Sequence, residues 1–354
     1  QLKVTDFEGN FLGGYPIGMK ILDPANNFIN CEQHEDPQQE GLWHIKFRPQ
    51  MPGEHRVAIS FLGKPINGME LELQVKSNQP VMKFGQLGTG TGSFNCPRAV
   101  ALDKEGNIYI ADTGNRLIQK MDSTGAFLQQ FKIDGGNDEC STCDLAINKA
   151  EGWIICTETH VGMNINPTMG STVAIYDTNG QLRHKFQNKS MKCALCVASN
   201  KHSEIVISDY LVHSLFMYSD NGTFLRKIGH AGMFNHPAFI AVDNEDHIIV
   251  SDTNNDCIQI FDREGKFLYQ FGCHGMNKGQ LRQPFGVATD NDHIIVVDSG
   301  NQRIQVFRKD GTFVSMIDSQ GETLNQPRGI TITDDGHFFV ADRDNHCIKK
   351  YRYK

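Results

Sequence analysis

From residue 97 onward the apolar positions come in short runs separated by Gly, Asn and Asp, an alternation of strand and turn. One phrase recurs. SDTNNDCIQIFD at 251 to 262 is echoed by ADTGNRLIQKMD from 111, VDSGNQRIQVFR from 297 and ADRDNHCIKKYR from 341. With the aspartate as anchor the copies fall at Asp112, Asp209, Asp252, Asp298 and Asp342, the last four 43 to 46 residues apart. A second anchor lies upstream, at the prolines of PRAVALD (Pro97), PAFIAVD (Pro237), PFGVATD (Pro284) and PRGITIT (Pro327). Weaker copies from Cys143 and Leu195 fill the gap and bring the units to six.

Each unit holds four strand candidates, in the fourth FIAVD, HIIVSD, CIQIFD and FLYQFG. The second strand is apolar without alternation in every unit, from IYIAD to HFFVAD, so it needs cover on both faces. Neighbouring four-stranded units supply that cover when they pack face to face in a ring, which predicts a six-bladed β-propeller over residues 81–354. The sixth unit ends at IKKYRYK with only three strands. VMKFG at 81 to 85 copies LYQFG at 268 to 272, so this N-terminal strand is expected to complete the C-terminal blade, with Phe84 in the place of Phe271. The repeated aspartates read as turn caps, accepting backbone N–H bonds while Asn or Gly takes the left-handed position. Blade two departs from the pattern, with Thr157 in the aspartate position and an insertion at 159 to 171.

Residues 1–76 have another texture. GLWHIKFRPQMPGEHRVAISFLGKPINGMELELQV alternates apolar and polar positions around two turns, the signature of a small Ig-like β-sandwich, with Trp43, Ile45, Phe47, Val57, Ile59 and Phe61 as inward candidates. The fold class is therefore all-β: a sandwich followed by a propeller.

Composition adds limits. The chain has 354 residues, 39% of them apolar, a net charge of -7, and no apolar run long enough for a membrane span. Of the ten cysteines, Cys156, Cys257 and Cys347 sit inside strand-like runs, where a thiol behaves as a small hydrophobe, so a reduced, cytoplasmic protein is expected. CSTC (Cys140, Cys143) and CALC (Cys193, Cys196) have zinc-like spacing and both start inner strands of adjacent blades. Small residues are needed where inner strands crowd the axis, however, and Cys196 occupies the slot of Ala99, Gly286 and Gly329; no metal or cofactor is assigned.

The distribution of charge matters more than its sum. The loop entering each inner strand and the loop after the second strand share one face, here called the top. The opposite turns are acidic, Asp103, Asp177, Asp243, Asp290 and Asp334 among them. On the top, blade five supplies Lys278, Arg282 and Arg303, blade six Arg328 and Arg343, and blade one Arg98 and Arg116, which ring closure gathers into one sector. The position after the repeat proline should line the channel mouth, with Arg98, Ala238, Phe285 and Arg328 in turn and Cys143 at the matching register. A phenylalanine between arginines suits single-stranded or loop RNA, guanidinium meeting phosphate while the ring stacks a base. The same rim also suits an acidic or extended peptide.

The repeated pattern P-x-G-V-A-x-D … I-x-V-x-D-x-x-N-x-R-I-Q-V-F … G-x-F resembles NHL repeats, and DNHCIK at 344 to 349 keeps an Asn-His pair. FRPQMPGEHRVAISFLGKPINGMELELQV resembles a filamin-type Ig-like repeat, although the family's GSPF stands here as GMEL. The combination is similar to the C-terminal half of TRIM-NHL proteins. It implies a non-catalytic recognition region that binds RNA, such as mRNA untranslated regions, for post-transcriptional repression. It implies, as the alternative, a module that recruits protein substrates to a TRIM-type ubiquitin ligase. Neither a membrane nor DNA is expected as a partner. Some NHL-like propellers resemble amidating lyases, but the histidines here are scattered without H-x-H or H-E-x-x-H spacing, so no catalysis is expected of these residues.

Overall fold

The computed structural model describes residues 2–3, 17–39, 42–47, 53–62, 64–75, 79–133, 140–148, 151–160, 171–317 and 322–354. They fall into two compact units, Gln1–Gln79 and Pro80–Lys354.

In the first unit, Ile17–Leu22, Phe28–Ile29, Gly53–Phe61 and Lys64–Val75 form one sheet, and Leu2–Lys3, Cys31–Glu35 and Leu42–Phe47 a second. Alternation aims Ile17, Ile21, Val57 and Ile59 at a shared core, against which Trp43, Ile45 and Phe47 pack. The side chain of Phe61 lies outside the described residues.

The second unit contains six four-stranded antiparallel sheets among the described residues. Their inner strands are Pro97–Leu102, Cys140–Ile147, Ala194–Ser199, Pro237–Val242, Pro284–Thr289 and Pro327–Ile332, each in contact with the next, and the last with the first. The second strands Ile108–Asp112, Ile205–Asp209 and Ile248–Asp252 are buried along their whole length, as an unalternated apolar strand must be. In the sixth sheet Pro327–Ile332, His337–Asp342 and Cys347–Arg352 are joined by Met82–Phe84, with Ile348 opposite Phe84 and Lys350 opposite Met82.

Successive sheets touch through one repeated contact. In blades one to five the glycine in the turn before the outer strand has positive φ, a conformation that favours Gly. It lies directly on an outer-strand side chain of the preceding sheet, where a Cβ on Gly180 would come within 2.4 Å of Phe131. A Cβ on Gly125 of blade one would come within 2.9 Å of Phe84. The N-terminal strand thus receives blade one as the outer strands of blades one to four receive their neighbours. Small residues at the axis have the same origin, since a Cβ on Gly329 would lie 2.7 Å from the carbonyl oxygen of Arg98.

The repeated aspartates are buried hubs that reach beyond their own turns; Asp209 also caps its turn as expected, accepting the N–H of Leu211 at 3.0 Å and of Val212 at 2.9 Å. Asp112 accepts bonds from the backbone N–H of Asn95 at 2.7 Å, the amide of Asn115 at 2.8 Å and that of Gln119 at 2.9 Å. Asp252 repeats the set with Asn235, Asn255 and Gln259. Because the Asn amide is committed to the hub, the left-handed position falls to the residue after it, Arg116, Asp256, Gln302 or His346, and not to Asn or Gly as the sequence suggests. That residue reaches the next blade in several cases. His346 Nδ1 accepts the N–H of Cys96 at 3.1 Å, His213 Nδ1 that of His236 at 2.9 Å, and Asp256 that of Gln283 at 2.7 Å.

Candidate nucleic-acid interface

The mouth of the channel is set by the bulged starts of the inner strands, where pairing with the second strand slips, as between Pro327 and Ile330. The residue after each proline occupies this slip. Arg328 does so in blade six, with its guanidinium carbon 3.6 Å from the ring centroid of Phe285 in blade five, a stacked cation–π contact. Its Nη2 donates to Gln326 Oε1 at 2.9 Å, while its Nε and Nη1 have no hydrogen-bond partner among the described residues. Burial, followed by the charges of Arg98 and Arg343, pulls its pKa down to about 10, so the group remains a cation at neutral pH but is poorly compensated. Phe285 is held edge-on by Phe239 at 6.4 Å.

Arg98 and Arg343 act electrostatically on Arg328, so three of the seven cations read from the sequence share one field. Arg343 also pairs with Asp344 at 3.0 Å. Arg116 is exposed in its left-handed position, and Lys278 and Arg282 are exposed on the loop entering blade five. Arg303 corrects the expectation: its side chain is turned inward. Its Nε lies 2.7 Å from Asp298, Nη1 donates to the carbonyl of Met276 at 2.6 Å, and Nη2 donates to those of Asn277 and Gln280 at 2.9 Å. A buried hub carboxylate outcompetes solvent for the guanidinium, which leaves Arg303 8% exposed and fixes the loop above it.

Three residues missed in the sequence complete the mouth. Tyr210 feels the charges of Arg328 and Arg98, and its ring lies 4.4 Å from that of His236, which is in turn 4.5 Å from His213. The signal was SDYLVH at 208 to 213, where other blades read ADTGNR or SDTNND: Tyr210 stands where a threonine is found, and His213 takes the left-handed position of Arg116 and Asp256.

The acidic lower face is largely neutralised. Arg263 pairs with Glu204 at 2.9 Å, Lys309 with Asp243 at 2.8 Å and Lys354 with Asp290 at 2.6 Å, each cation reaching to the preceding blade. Lys354 thereby stands beside the one grouping of potential metal ligands found among the described residues, Asp290, Asp292 and His293. Cys196 is buried with its Sγ accepting the N–H of Ile240 at 3.1 Å, in the small-residue slot; the side chains of Cys140 and Cys143 lie outside the described residues.

Residues 94–121, 234–261, 281–307 and 324–351 match the NHL repeat, in blades one, four, five and six. A chain whose four-stranded sheets carry such repeats is an NHL-repeat β-propeller protein. The solved structures agree in fold. A streptogramin B lyase aligns with TM-score 0.55 at 14% identity, covering 77% of this chain and 87% of that one. A chain of the nidogen/laminin complex aligns with TM-score 0.55 at 10% identity, covering 92% and 98%. The chain is similar to E3 ubiquitin-protein ligase TRIM71 of Rattus norvegicus, 33% identical over 127 residues, which is 34% of this chain and 15% of the relative. It is similar to protein brain tumor of Drosophila melanogaster, 29% identical over 191 residues, 54% of this chain and 14% of the relative. Protein lin-41 of Caenorhabditis elegans is 22% identical over 119 residues, 31% of this chain and 10% of the relative. These relatives and the four matched repeats support a TRIM-NHL family protein. The chain spans 10 to 15% of the length of those three relatives. No helix among the described residues is long and apolar enough to cross a membrane.

Proposed function

We propose that the propeller is a non-catalytic recognition platform that binds RNA across the top of its channel, in single-stranded or loop form. The observation that carries the reading is Arg328, stacked on Phe285 with two N–H groups unspent and two further arginines in its field. Such a group gains most from an anion that supplies the missing hydrogen bonds, and the adjacent Phe285, Tyr210 and His236 rings offer faces on which bases stack, worth about 1–3 kcal/mol per base. Exposed Arg116, Lys278 and Arg282 extend the cationic track, with Arg343 at its centre. Residues 1–76 serve in this reading as a filamin-type spacer.

The experiment is a titration of the purified chain with a randomised single-stranded RNA pool at two salt concentrations. Binding should weaken with salt, and Arg98→Glu plus Arg328→Glu should weaken it strongly while flattening the slope of log affinity on log salt by about two. Salt-independent binding, or binding indifferent to the double substitution, would refute the reading. Capture of a protein substrate, the role suggested by a relative named as a ubiquitin ligase, would appear as failure to bind any RNA together with loss of a partner protein in the same double variant.

A further inference from the structure

The inner-strand slot just below the mouth holds Ala99, Cys196, Gly286 or Gly329 in four blades, but Asp144 in blade two. Its carboxyl group lines a channel cavity of about 210 Å³ and is the one carboxylate among the described residues there, facing walls such as Val100, Val197, Ile240 and Ile330. It is 5% exposed, and its Oδ2 accepts the N–H of Val197 at 3.0 Å, across the gap between blades two and three. An acid is not needed for that bond, since an amide accepts it as well.

The elements packed against Asp144 carry these charged and titratable groups, among them buried Glu158 on Ile154–His160, which is paired with Lys185 at 3.0 Å. Arg98 on Pro97–Leu102 attracts it, Cys196 on Ala194–Ser199 donates a thiol bond, and Cys156 on Ile154–His160 is itself held protonated by burial. Asp112, at the end of Ile108–Asp112, is committed to Asn95, Asn115 and Gln119, and the turn Thr113–Asn115 is capped by exposed Arg116. Burial raises the Asp144 pKa to about 7, opposed by the Cys196 thiol, by backbone N–H groups and by Arg98.

We propose that Asp144 is a proton-operated control on the mouth: ionised, it occupies the field of Arg98 and repels an incoming phosphate, and on taking a proton from solvent it leaves that field to the anion. The inference rests on reading the mouth as a phosphate-binding site. By linkage the anion and the proton favour one another, so each tightens the other by the same factor.

The test measures affinity from pH 6 to 8.5 for two probes, a fluorescein-labelled randomised RNA and inorganic tripolyphosphate, the latter by calorimetry. The proteins compared are the intact chain, Asp144→Asn, which keeps the acceptor for Val197, and Asp144→Ala, which copies the Ala99 slot. The intact chain should bind about five- to tenfold more tightly at the acid end than the change seen in either variant. The other groups of the mouth are the same in all three proteins and cancel in the comparison. Parallel profiles in the intact chain and both variants would overturn the control while leaving the mouth as the binding site. Binding of neither probe at any pH would overturn both.

Discussion

Lys349 offers a stringent test of the hub architecture. It lies 1% exposed on the third strand of blade six, at the register where Gln119, Gln259 and Gln305 serve their own hubs. Its Nζ is 2.9 Å from Asp342, and it also donates to the carbonyls of Glu322 at 3.1 Å and Thr323 at 3.4 Å. Lys349→Met keeps the aliphatic volume and strips the charge, leaving fully buried Asp342 with only the Asn325 N–H and the Asn345 amide. Breaking one side of a buried pair costs about 3–5 kcal/mol, because the remaining charge stays desolvated. At 2–4 °C per kcal/mol for a domain of this size, the melting temperature should drop by about 6–20 °C. Lys349→Gln should cost far less, about 1 kcal/mol, since Gln119 meets the same demand by donating to Asp112 at 2.9 Å and to the Ser93 carbonyl at 2.7 Å. The glutamine variant carries a second signature. Asp112 and Asp252, the hubs served by Gln, have carboxyl pKa values raised by burial, so their folded states hold a proton more tightly than the unfolded chain. Stability from such a group is greatest below the unfolded pKa and falls as pH rises through the folded one. The deficit of Lys349→Gln should therefore be smaller at pH 4 than at pH 7. Calorimetry and urea melts at both pH values supply the comparison. Equal stability of the Met variant and the parent, or equal damage from Met and Gln, would refute the argument that Asp342 is a buried charge held by Lys349.

Other consequences are more local. Phe84→Ala removes the ring that packs edge-on against Phe94 and Phe339 and lies under Gly125, and should cost about 2–4 kcal/mol in urea melts, with proteolysis opening at the sixth blade. Arg303→Ala should lower stability by about 3 kcal/mol, and any loss of RNA affinity should follow the fraction unfolded; Lys278→Ala should leave the melt unchanged and weaken RNA binding uniformly across sequences. On the lower face, the Arg263 bond holds the Glu204 carboxyl below the ordinary range. The stability that this contributes is present above pH of about 4.3 and is lost as pH falls through the depressed folded value. Arg263→Ala should flatten that part of the acid-unfolding curve, and an unchanged acid limb would count against the inter-blade pair.

The architecture was largely legible because propeller blades write themselves in the two signals that a single sequence carries best, a repeat period and unalternated apolar strands. Even the completing strand at Met82–Phe84 could be read, since an outer strand keeps its F-G ending wherever it falls in the chain. The roles of individual arginines were less accessible. Arg303 and Arg328 both follow turn chemistry in the repeat, and charge counting treats them alike. Their registers differ: Arg303 opens a third strand, where other blades carry buried Leu117, Cys257 and Cys347, so its direction was inward and available from the alignment of the repeats themselves. Of the residues of the mouth that escaped, Tyr210 and His213 lie in blade three, outside the four matched repeats, whereas His236 falls within the repeat at 234–261, in the loop before Pro237.

The hub also explains why cations remain at the mouth. In blades one, four, five and six a buried aspartate is satisfied from the same short set of positions, and it takes the donor that the third strand offers. Blade five offers both Gln305, at 3.0 Å from Asp298, and Arg303, and the hub captures the arginine. Blade six offers Lys349, which fills that need from the third strand, so Arg328 on the inner strand has no hub to serve and stacks on Phe285 instead. Moving a cation onto the third strand of a blade should thus strengthen its hub without adding to the mouth. Cys257→Arg, placed at the Arg303 register of blade four with the Asp252 hub beneath it, should leave the affinity for RNA unchanged; a gain in affinity would show that the register does not decide which arginines reach the ligand.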